Sequence, residues 1–350
     1  MNPFLTEIFE QPEALRDTLE FYTSTTGIQL LDDAYKLNQT YNKTRLLFTG
    51  MGSSYFAAYN SVCLLSNLGI SSCLVNASEL LHYNRSLLNN DVLPVFVSQS
   101  GESYEIAELL KCIPRNRACI GVTNETASAL GKRARVTLLT KAGREEMTST
   151  KTFVSTILVM LIFAWRMAGK WEEDKMQRAL QVIYMFEALL DSAGQLLDSI
   201  MSFLGDFDFI ELIGRGPAFP AAQQSALMFK EATRTAAEGI LGGEFRHGPM
   251  EMVAEGFVSV IFAAKGKTFG QSLTMAMDIA KFGGKVLIIT DSADAIQYSN
   301  LYVLRIPNAD ENYFSILSIL PLQLIVNQHA LNKGVEPGQF INGAKVTMIE

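Results

Sequence analysis

The sequence predicts an α/β protein of two similar lobes, each a mostly parallel β-sheet flanked by helices. Short apolar segments alternate with helix-like patterns through both halves of the chain. Such apolar segments are typical of parallel strands that are covered on both faces. The openings of the two halves also match, because LLFTGMGSSYFAA (46–58) aligns with ELIGRGPAFPAA (211–222) with one residue of slippage.

The elements follow in order along the chain. Residues 2–25 predict a helical arm. In the first lobe we predict strands at 45–50, 74–77, 93–98, 119–123 and 136–140 and helices at 54–68 and 104–113. In the second lobe we predict strands at 207–213, 257–263, 285–290 and 301–305 and helices at 217–232, 272–282 and 313–331. We therefore divide the chain into an N-terminal helical arm (1–30), a first lobe (31–170), a connecting helix (171–205), a second lobe (206–335) and an irregular C-terminal tail (336–350).

Composition excludes several classes of protein. The 350 residues carry a net charge of −7, so nucleic acid and anionic membranes are not expected partners. The four cysteines include no Cys-x-x-Cys pair and are expected to be reduced. The apolar stretch 153–165 is shorter than the roughly 20 residues that span a bilayer, which predicts a core or subunit-interface helix. No secretory signal is visible at the N-terminus, so we expect a cytoplasmic protein.

Two groups of hydroxyl residues follow strands of the first lobe. One is the loop Ser98-Gln99-Ser100-Gly101-Glu102-Ser103, and the other is Gly52-Ser53-Ser54. Hydroxyls and free helix amides at the carboxyl ends of strands bind phosphate without needing net positive charge. The alternative is that Ser98 and Ser103 only cap the following helix. The equivalent place in the second lobe, 263–268, lacks these serines, so if a phosphate binds we expect it in the first lobe.

A second group of residues is suited to moving protons. Glu231 ends a predicted helix, and Glu238 and a glycine-flanked His247 follow it. A carboxylate and an imidazole can transfer protons between the carbons and at the ring oxygen of a sugar. The alternative for His247 is a histidine that is hydrogen-bonded in a turn. His82 and His329 have no comparable setting and are expected to be structural or surface residues.

No metal site is predicted, because the spacing of Asp, Glu, His and Cys matches no metal motif. No cofactor is expected either. In the tail, Lys345 has an amine that could form a Schiff base with a carbonyl sugar. By itself, however, the tail predicts a solvated lysine.

Taken together, these motifs resemble the sugar isomerase (SIS) family, and within it the isomerase part of glutamine-dependent glucosamine-6-phosphate synthase. The resemblance runs nearly from end to end of the chain. It is carried by EIFEQPE (7–13), GSSY (52–55), SQSGES (98–103), STKTF (149–153), KE (230–231), GEFRHGP (243–249) and KVT (345–347).

The resemblance implies two tandem SIS lobes and a role for each site residue. The substrate phosphate would be held by Ser53, Ser54, Ser98, Gln99, Ser100 and Ser103. Glu231 would move the proton between C1 and C2, His247 would assist ring opening, and Lys345 would meet the open-chain carbonyl. A homodimer is implied, because in the family the histidine segment can reach the neighbouring subunit's site.

Three departures from the synthase shape the expected function. No glutaminase segment precedes the arm, so we expect no glutamine-driven synthesis. Met228 stands where the synthase has a lysine, on the same expected helix face as Glu231. Ile341 replaces an arginine and Gln224 a glutamate, which predicts a reshaped pocket.

We therefore expect a phosphosugar isomerase/deaminase that acts on an amino-sugar 6-phosphate, with glucosamine 6-phosphate as the reference substrate. One alternative is a deglycase that splits a fructosamine or glucosamine adduct 6-phosphate, where Met228 and Ile341 would leave room for a bulky amine. A second alternative is a sugar-phosphate sensor without turnover.

Overall fold

The computed structural model describes residues 1–40, 45–294 and 298–347. Its contacts divide the chain into two units. The first-sheet unit comprises Glu10–Gln181 and Ile341–Glu350, and the second-sheet unit comprises Met1–Phe9 and Val182–Phe340. The last part of the predicted tail, 348–350, lies outside the described residues.

The N-terminal half of the chain alternates strands and helices after a helical arm. Its elements are α1 (Pro3–Phe9), α2 (Gln11–Thr23), α3 (Thr25–Thr40), β1 (Arg45–Gly50), α4 (Gly52–Asn67), β2 (Ser72–Asn76), α5 (Ala77–His82), β3 (Val92–Val97), α6 (Tyr104–Cys112), β4 (Ile120–Thr123), α7 (Ala129–Arg133), β5 (Val136–Leu139) and α8 (Lys151–Met167).

The C-terminal half repeats this alternation. Its elements are α9 (Glu173–Ala193), α10 (Leu197–Leu204), β6 (Phe209–Gly214), α11 (Phe219–Met228), a π-helical turn (Phe229–Thr233), β7 (Ala236–Leu241), α12 (Gly242–Arg246), β8 (Val258–Ala263), α13 (Phe269–Lys281), β9 (Lys285–Thr290), β10 (Leu301–Arg305) and α14 (Phe314–Asn332).

The two sheets have the same topology. Their strand orders are β2-β1-β3-β4-β5 and β7-β6-β8-β9-β10, and every neighbouring pair is parallel. In each sheet the first strand lies between the second and the third, so the direction of winding reverses there. Ligands of such sheets bind at this switch point, outside the carboxyl ends of the strands. The predicted pair of parallel sheets is confirmed.

One strand of the structure is not predicted by the sequence. The second sheet has five strands rather than the four predicted, and the additional one is β7 (Ala236–Leu241). Its residues AAEGIL include Gly239 and two alanines, which have low strand propensity. Ala236 and Glu238 are exposed because β7 is an edge strand, so it lacks the continuous apolar pattern of its neighbours.

The match between the openings of the two halves extends to the backbone. Gly52 follows β1 with φ +47°, and Gly216 follows β6 at the corresponding position with φ +51°. Both glycines adopt the left-handed region, which other residues avoid. The same sharp turn therefore leaves the central strand of each sheet.

Two apolar helices lie in the cores of their units. Helix α8 contains the stretch that was predicted to be a core helix, and it is buried along almost its whole length. In the described part of the chain, the segment Glu311–Asn332 has the length and composition of a membrane-spanning helix, with a mean hydropathy of 1.4. Because 89% of that window is buried inside the protein, it is a core helix here.

Candidate functional site

The predicted phosphate-binding residues meet at the switch point of the first sheet. Ser53 and Ser54 lie in the first turn of α4, directly after β1. The loop 98–103 follows β3, which is the neighbour of β1. A Cβ added to Gly50 would lie 2.7 Å from the carbonyl oxygen of Val97, so the ends of the two strands are in close contact.

The loop 98–103 is held by its own hydroxyls and by the next strand. The Ser98 Oγ accepts a hydrogen bond from the Gly101 amide at 3.1 Å, and the Ser100 Oγ accepts one from the Glu102 amide at 3.2 Å. The Gln99 carbonyl accepts bonds from the Asn124 amide and the Thr123 hydroxyl, each at 3.0 Å. The hydroxyls of Ser98 and Ser100 therefore shape the loop and still have protons to donate to a ligand.

Gly101 is required at the tip of this loop. Its φ is +65°, and a Cβ at this position would lie 2.1 Å from the Ser128 Oγ. The Glu102 side chain fixes the other flank, because its Oε1 accepts a hydrogen bond from the Ala129 amide at 2.6 Å. The loop is thus tied to the start of α7.

The structure does not support helix capping as the role of Ser103. Ser103 occupies the N-cap position of α6, but its side chain makes no capping hydrogen bond. Met51, at the N-cap of α4, makes none either. Both helix N-termini therefore lack a side-chain cap, and amides at such ends attract anions where they are not already bonded. At α6 the Tyr104 amide is bonded to the Thr347 carbonyl. The Ser103 hydroxyl lies 3.5 Å from the Ser98 hydroxyl.

Lys345 is not the solvated lysine that the tail by itself predicts. Its side chain is 19% exposed, and its Nζ donates hydrogen bonds to the Glu145 Oε2 at 2.6 Å and the Met147 carbonyl at 2.5 Å. Two residues later, the Thr347 carbonyl accepts a hydrogen bond from the Tyr104 amide at 3.0 Å. The tail is therefore attached both to the loop after β5 and to the first residue of α6.

Glu145 is the residue of this region that the sequence analysis missed. It is buried, and it accepts hydrogen bonds from the amides of Thr150 and Thr152 and from the Thr152 hydroxyl. Burial by itself would raise the pKa of Glu145, but the charge of Lys345 and these hydrogen bonds outweigh it and hold the pKa below its usual range. The only sequence signal was its position shortly before the STKTF motif.

In the second-sheet unit, Glu231 lies on the π-helical turn Phe229–Thr233, where it is half-buried. The turn ends at Arg234, which adopts the left-handed conformation with φ +55°. Turns of this type occur frequently at functional sites. The sequence placed Glu231 at the end of a regular helix, and only the structure shows the π turn.

Met228 and Glu231 do not lie on one regular α-helix as the sequence predicts, because Met228 ends α11 and Glu231 lies on the π turn that follows. A π turn has more residues per turn than an α-helix, so residues three apart no longer lie above one another. Met228 is completely buried, whereas Glu231 is partly exposed. Gln224 is also completely buried, and Ile341 is 67% exposed.

His247 lies at the C-terminal end of α12, on the surface of the second-sheet unit. Its amide donates a hydrogen bond to the Glu244 carbonyl at 2.9 Å, and Gly248 follows it with φ +139°. His329, by contrast, is a core residue. It stacks on Phe207 with ring centroids 4.4 Å apart, and its Nε2 is 3.0 Å from the Thr235 hydroxyl.

Glu238 is in mid-strand rather than at the carboxyl edge of the sheet. It lies on β7 directly opposite Glu211 on β6. Glu211 is buried, and neither of its carboxylate oxygens has a hydrogen-bond partner among the described residues. Burial, together with the nearby charge of Glu238, raises the pKa of Glu211 to about 8.

Comparison with known proteins matches this chain to one protein family. The sequence profile of the SIS domain matches residues 40–166 and 208–333. The glutamine–fructose-6-phosphate aminotransferase (isomerizing) of Pyrococcus horikoshii is 31% identical over 99% of this chain. This chain spans 57% of the length of that relative.

Two solved structures have the same fold. The C-terminal domain of glucosamine-fructose-6-phosphate aminotransferase from Francisella tularensis superposes with a TM-score of 0.86 at 24% identity, covering 97% of this chain and 98% of that chain. Glucosamine-6-phosphate deaminase from Thermotoga maritima superposes with a TM-score of 0.77 at 22% identity, covering 98% and 99%.

Proposed function

The chain belongs to the SIS domain family, and from this premise we propose that it is a phosphosugar isomerase/deaminase that acts on an amino-sugar 6-phosphate. The reference reaction converts glucosamine 6-phosphate and water to fructose 6-phosphate and ammonia. The observation that carries the proposal is the pair of hydroxyl-rich turns at the switch point of the first sheet, where a sheet of this type binds its ligand.

In this proposal the phosphate of the substrate binds at the turns after β1 and β3. The donors are the hydroxyls of Ser53, Ser54, Ser98, Ser100 and Ser103 and the Gln99 side chain. Amides at the start of α4 and α6 that are not already bonded to a carbonyl of the chain add to them. Because Gly101 has no side chain, the backbone of the loop can approach the phosphate closely.

Glu231 and His247 perform the proton transfers. During ring opening, His247 takes the proton from the C1 hydroxyl and gives a proton to the ring oxygen as the bond between C1 and that oxygen breaks. The imidazole is accessible for this because His247 is exposed. Glu231 then moves a proton from C2 to C1, while the C1 oxygen gains a proton and the amine loses one. The aldehyde at C1 thereby becomes an alcohol, and the amine at C2 becomes an imine. Water hydrolyses the imine and ammonia departs.

Lys345 meets the carbonyl carbon or oxygen of the open chain. In the ion pair with Glu145 the amine is a hydrogen-bond donor, and this form stabilises a carbonyl oxygen. Formation of a Schiff base would require the amine to lose a proton and to leave Glu145. Both roles need the tail at the first sheet, where Lys345 is attached in this structure.

The deaminase is preferred to the other two functions. A deglycase needs room for a bulky amine, and Met228, one of the two residues expected to give that room, is buried in the core. A sensor would need none of Glu231, His247 and Lys345. The same fold also occurs in the glucosamine-6-phosphate deaminase of Thermotoga maritima.

We further propose that the protein is a cytoplasmic homodimer and that it uses no glutamine.

The test is incubation with glucosamine 6-phosphate and, separately, with fructosyl-lysine 6-phosphate, following ammonia, free lysine and hexose 6-phosphates. We expect ammonia from the first substrate and its loss in Glu231→Gln, but not in the matched control Glu255→Gln, which changes an exposed carboxylate of the same unit. A third incubation supplies fructose 6-phosphate with glutamine, and we expect no glucosamine 6-phosphate.

Each contrary outcome has a distinct meaning. Release of lysine from fructosyl-lysine 6-phosphate, without ammonia from glucosamine 6-phosphate, would show that the protein is a deglycase and not a deaminase. Stabilisation by hexose 6-phosphates without turnover would leave only a sensor. Synthesis of glucosamine 6-phosphate from glutamine would contradict glutamine independence.

A further inference from the structure

The second sheet has a switch point of its own, between β6 and β8. A solvent-open pocket of about 580 Å³ lies there, lined by Arg215, Arg246, Gly270, Gln271 and Thr274. Its size is within the range of small-molecule sites. None of these five lining residues carries a negative charge.

Arg215 and Arg246 bring two positive charges to this pocket. The Arg215 Nη2 donates a hydrogen bond to the Gly242 carbonyl at 2.6 Å, and its Nε has no partner among the described residues. Arg246 is paired with Asp278 at 2.6 Å. Burial and the charge of Arg246 lower the pKa of Arg215. Among the described residues, an ion pair is thus present for Arg246 and not for Arg215.

Helix α13 adds a third element that favours an anion. It is 13 residues long and begins at Phe269, so Gly270 and Gln271 lie in its first turn. Thr268, at the N-cap, makes no side-chain capping bond, and no acidic residue occupies the first turn. The positive end of the helix dipole at Gly270 and Gln271 is thus part of the pocket lining.

The loop after β8 explains why the serines of the first lobe are absent here. The Lys265 amide donates to the Asp291 Oδ1 at 2.6 Å. A Cβ on Gly266 would lie 2.3 Å from a carboxylate oxygen of Glu311, so that side chain covers the loop. Carboxylates of the protein occupy the place where the first lobe offers its loop to a phosphate. An anion in the second lobe must therefore bind to the arginines and to α13.

We propose that this pocket binds the phosphate group of a second ligand, separately from the phosphate site of the first sheet. Guanidinium groups bind phosphate through two parallel hydrogen bonds, and Arg215 and Arg246 both have donors left for this. Inorganic phosphate, a sugar phosphate and a nucleotide share the required chemistry.

The experiment is equilibrium dialysis of the full chain against labelled inorganic phosphate, which counts phosphates per chain. We expect two per chain in the unmodified protein. Arg215→Gln and Arg246→Gln should each weaken the binding of the second phosphate about tenfold or more. Lys281→Gln, at the opposite end of α13, is the matched control for loss of one charge and should leave both unchanged.

Gly270→Glu tests the pocket without removing an arginine. A Cβ on Gly270 has nothing within 4 Å, so the substitution is sterically accommodated, and its carboxylate would compete with phosphate at the helix end. We expect Gly270→Glu to lower the count by one and Gly270→Ala to leave it unchanged. If the first-sheet site binds no phosphate, the unmodified protein should bind one phosphate per chain and Gly270→Glu none. Failure of the first-sheet site can therefore be distinguished from failure of this pocket.

Competition identifies the source of the phosphate group. Displacement of the second phosphate by fructose 6-phosphate or by ADP assigns a sugar phosphate or a nucleotide, and displacement by neither assigns inorganic phosphate. A phosphate count that is the same in Arg215→Gln, Arg246→Gln and Gly270→Glu as in the unmodified protein would overturn the proposal.

Discussion

The Lys345 ammonium lies 2.6 Å from the carboxylate of the buried Glu145, 200 residues earlier in the chain. Hydrogen bonds from Thr150 and Thr152 hold the same carboxylate. The ion pair therefore joins the C-terminal tail to the loop between β5 and α8, in the unit that carries the proposed phosphate site.

Lys345→Met should lower the free energy of unfolding by about 3 kcal/mol, because it leaves Glu145 buried without its cation. The folded-state pKa of Glu145 is lowered, so its contribution to stability is present above its ordinary pKa and is lost as the pH falls through the folded value. We expect the difference in melting temperature between Lys345→Met and the unmodified protein to be largest near neutral pH and to shrink in acid. Lys132→Met, which removes an exposed lysine of the same unit, is the control. Equal effects of the two substitutions would contradict the ion pair.

Gly101→Ala should destabilise the protein more than Gly143→Ala. Both glycines have positive φ, +65° and +70°, so each alanine costs about 1 kcal/mol of backbone strain. Only at Gly101 would the Cβ clash, at 2.1 Å from the Ser128 Oγ, since nothing lies within 4 Å at Gly143. Denaturant unfolding and phosphate binding measure the difference. We expect Gly101→Ala alone to weaken phosphate binding, and indistinguishable variants would refute the close packing of the loop.

Ser98→Ala and Ser103→Ala should differ in their effects on stability. The Ser98 hydroxyl accepts a hydrogen bond from the Gly101 amide, so its loss should cost about 1 kcal/mol as well as phosphate affinity. Ser103 makes no capping bond, so Ser103→Ala should weaken phosphate binding with the melting temperature nearly unchanged. Thermal melts and phosphate titrations test this. A large loss of stability in Ser103→Ala would restore capping as its role.

Glu211→Gln should stabilise the protein in alkaline solution. The folded-state pKa of Glu211, about 8, is above its ordinary value of 4.5, so the folded protein retains a proton that the unfolded chain releases. The associated stability is complete below the ordinary value and is lost as the pH rises through 8. At pH 9 we expect Glu211→Gln to be more stable than the unmodified protein by about 2 kcal/mol, and the gap to close toward pH 5.

Glu238→Gln provides the comparison for Glu211→Gln. Glu238→Gln removes only the neighbouring charge and leaves Glu211 buried. It should therefore also raise the stability in alkaline solution, but by less than Glu211→Gln does. Melting curves between pH 5 and 9 give both results. A pH-independent effect of Glu211→Gln would show that the carboxyl group does not titrate in this range.

Most of the fold could be predicted because it depends on local patterns. The strands at 45–50, 285–290 and 301–305 have the bounds that their apolar residues predict. Two of the exceptions, β7 and the π turn at Glu231, arise where the pattern is weak. Short helices such as α5, α7 and α12 were also not predicted. An edge strand of small residues and a helix with an altered period are stabilised by neighbours that are distant in sequence.

The sequence by itself determined the two parallel sheets, their apolar cores and the serine-rich turns after β1 and β3, because strand apolarity and turn chemistry are local properties. Only the tertiary structure decided that Lys345 pairs with Glu145, that Met228 is completely buried, and that Arg215 and Arg246 share a pocket. These relationships depend on which side chains the fold brings together, and the order of residues along the chain does not contain that information.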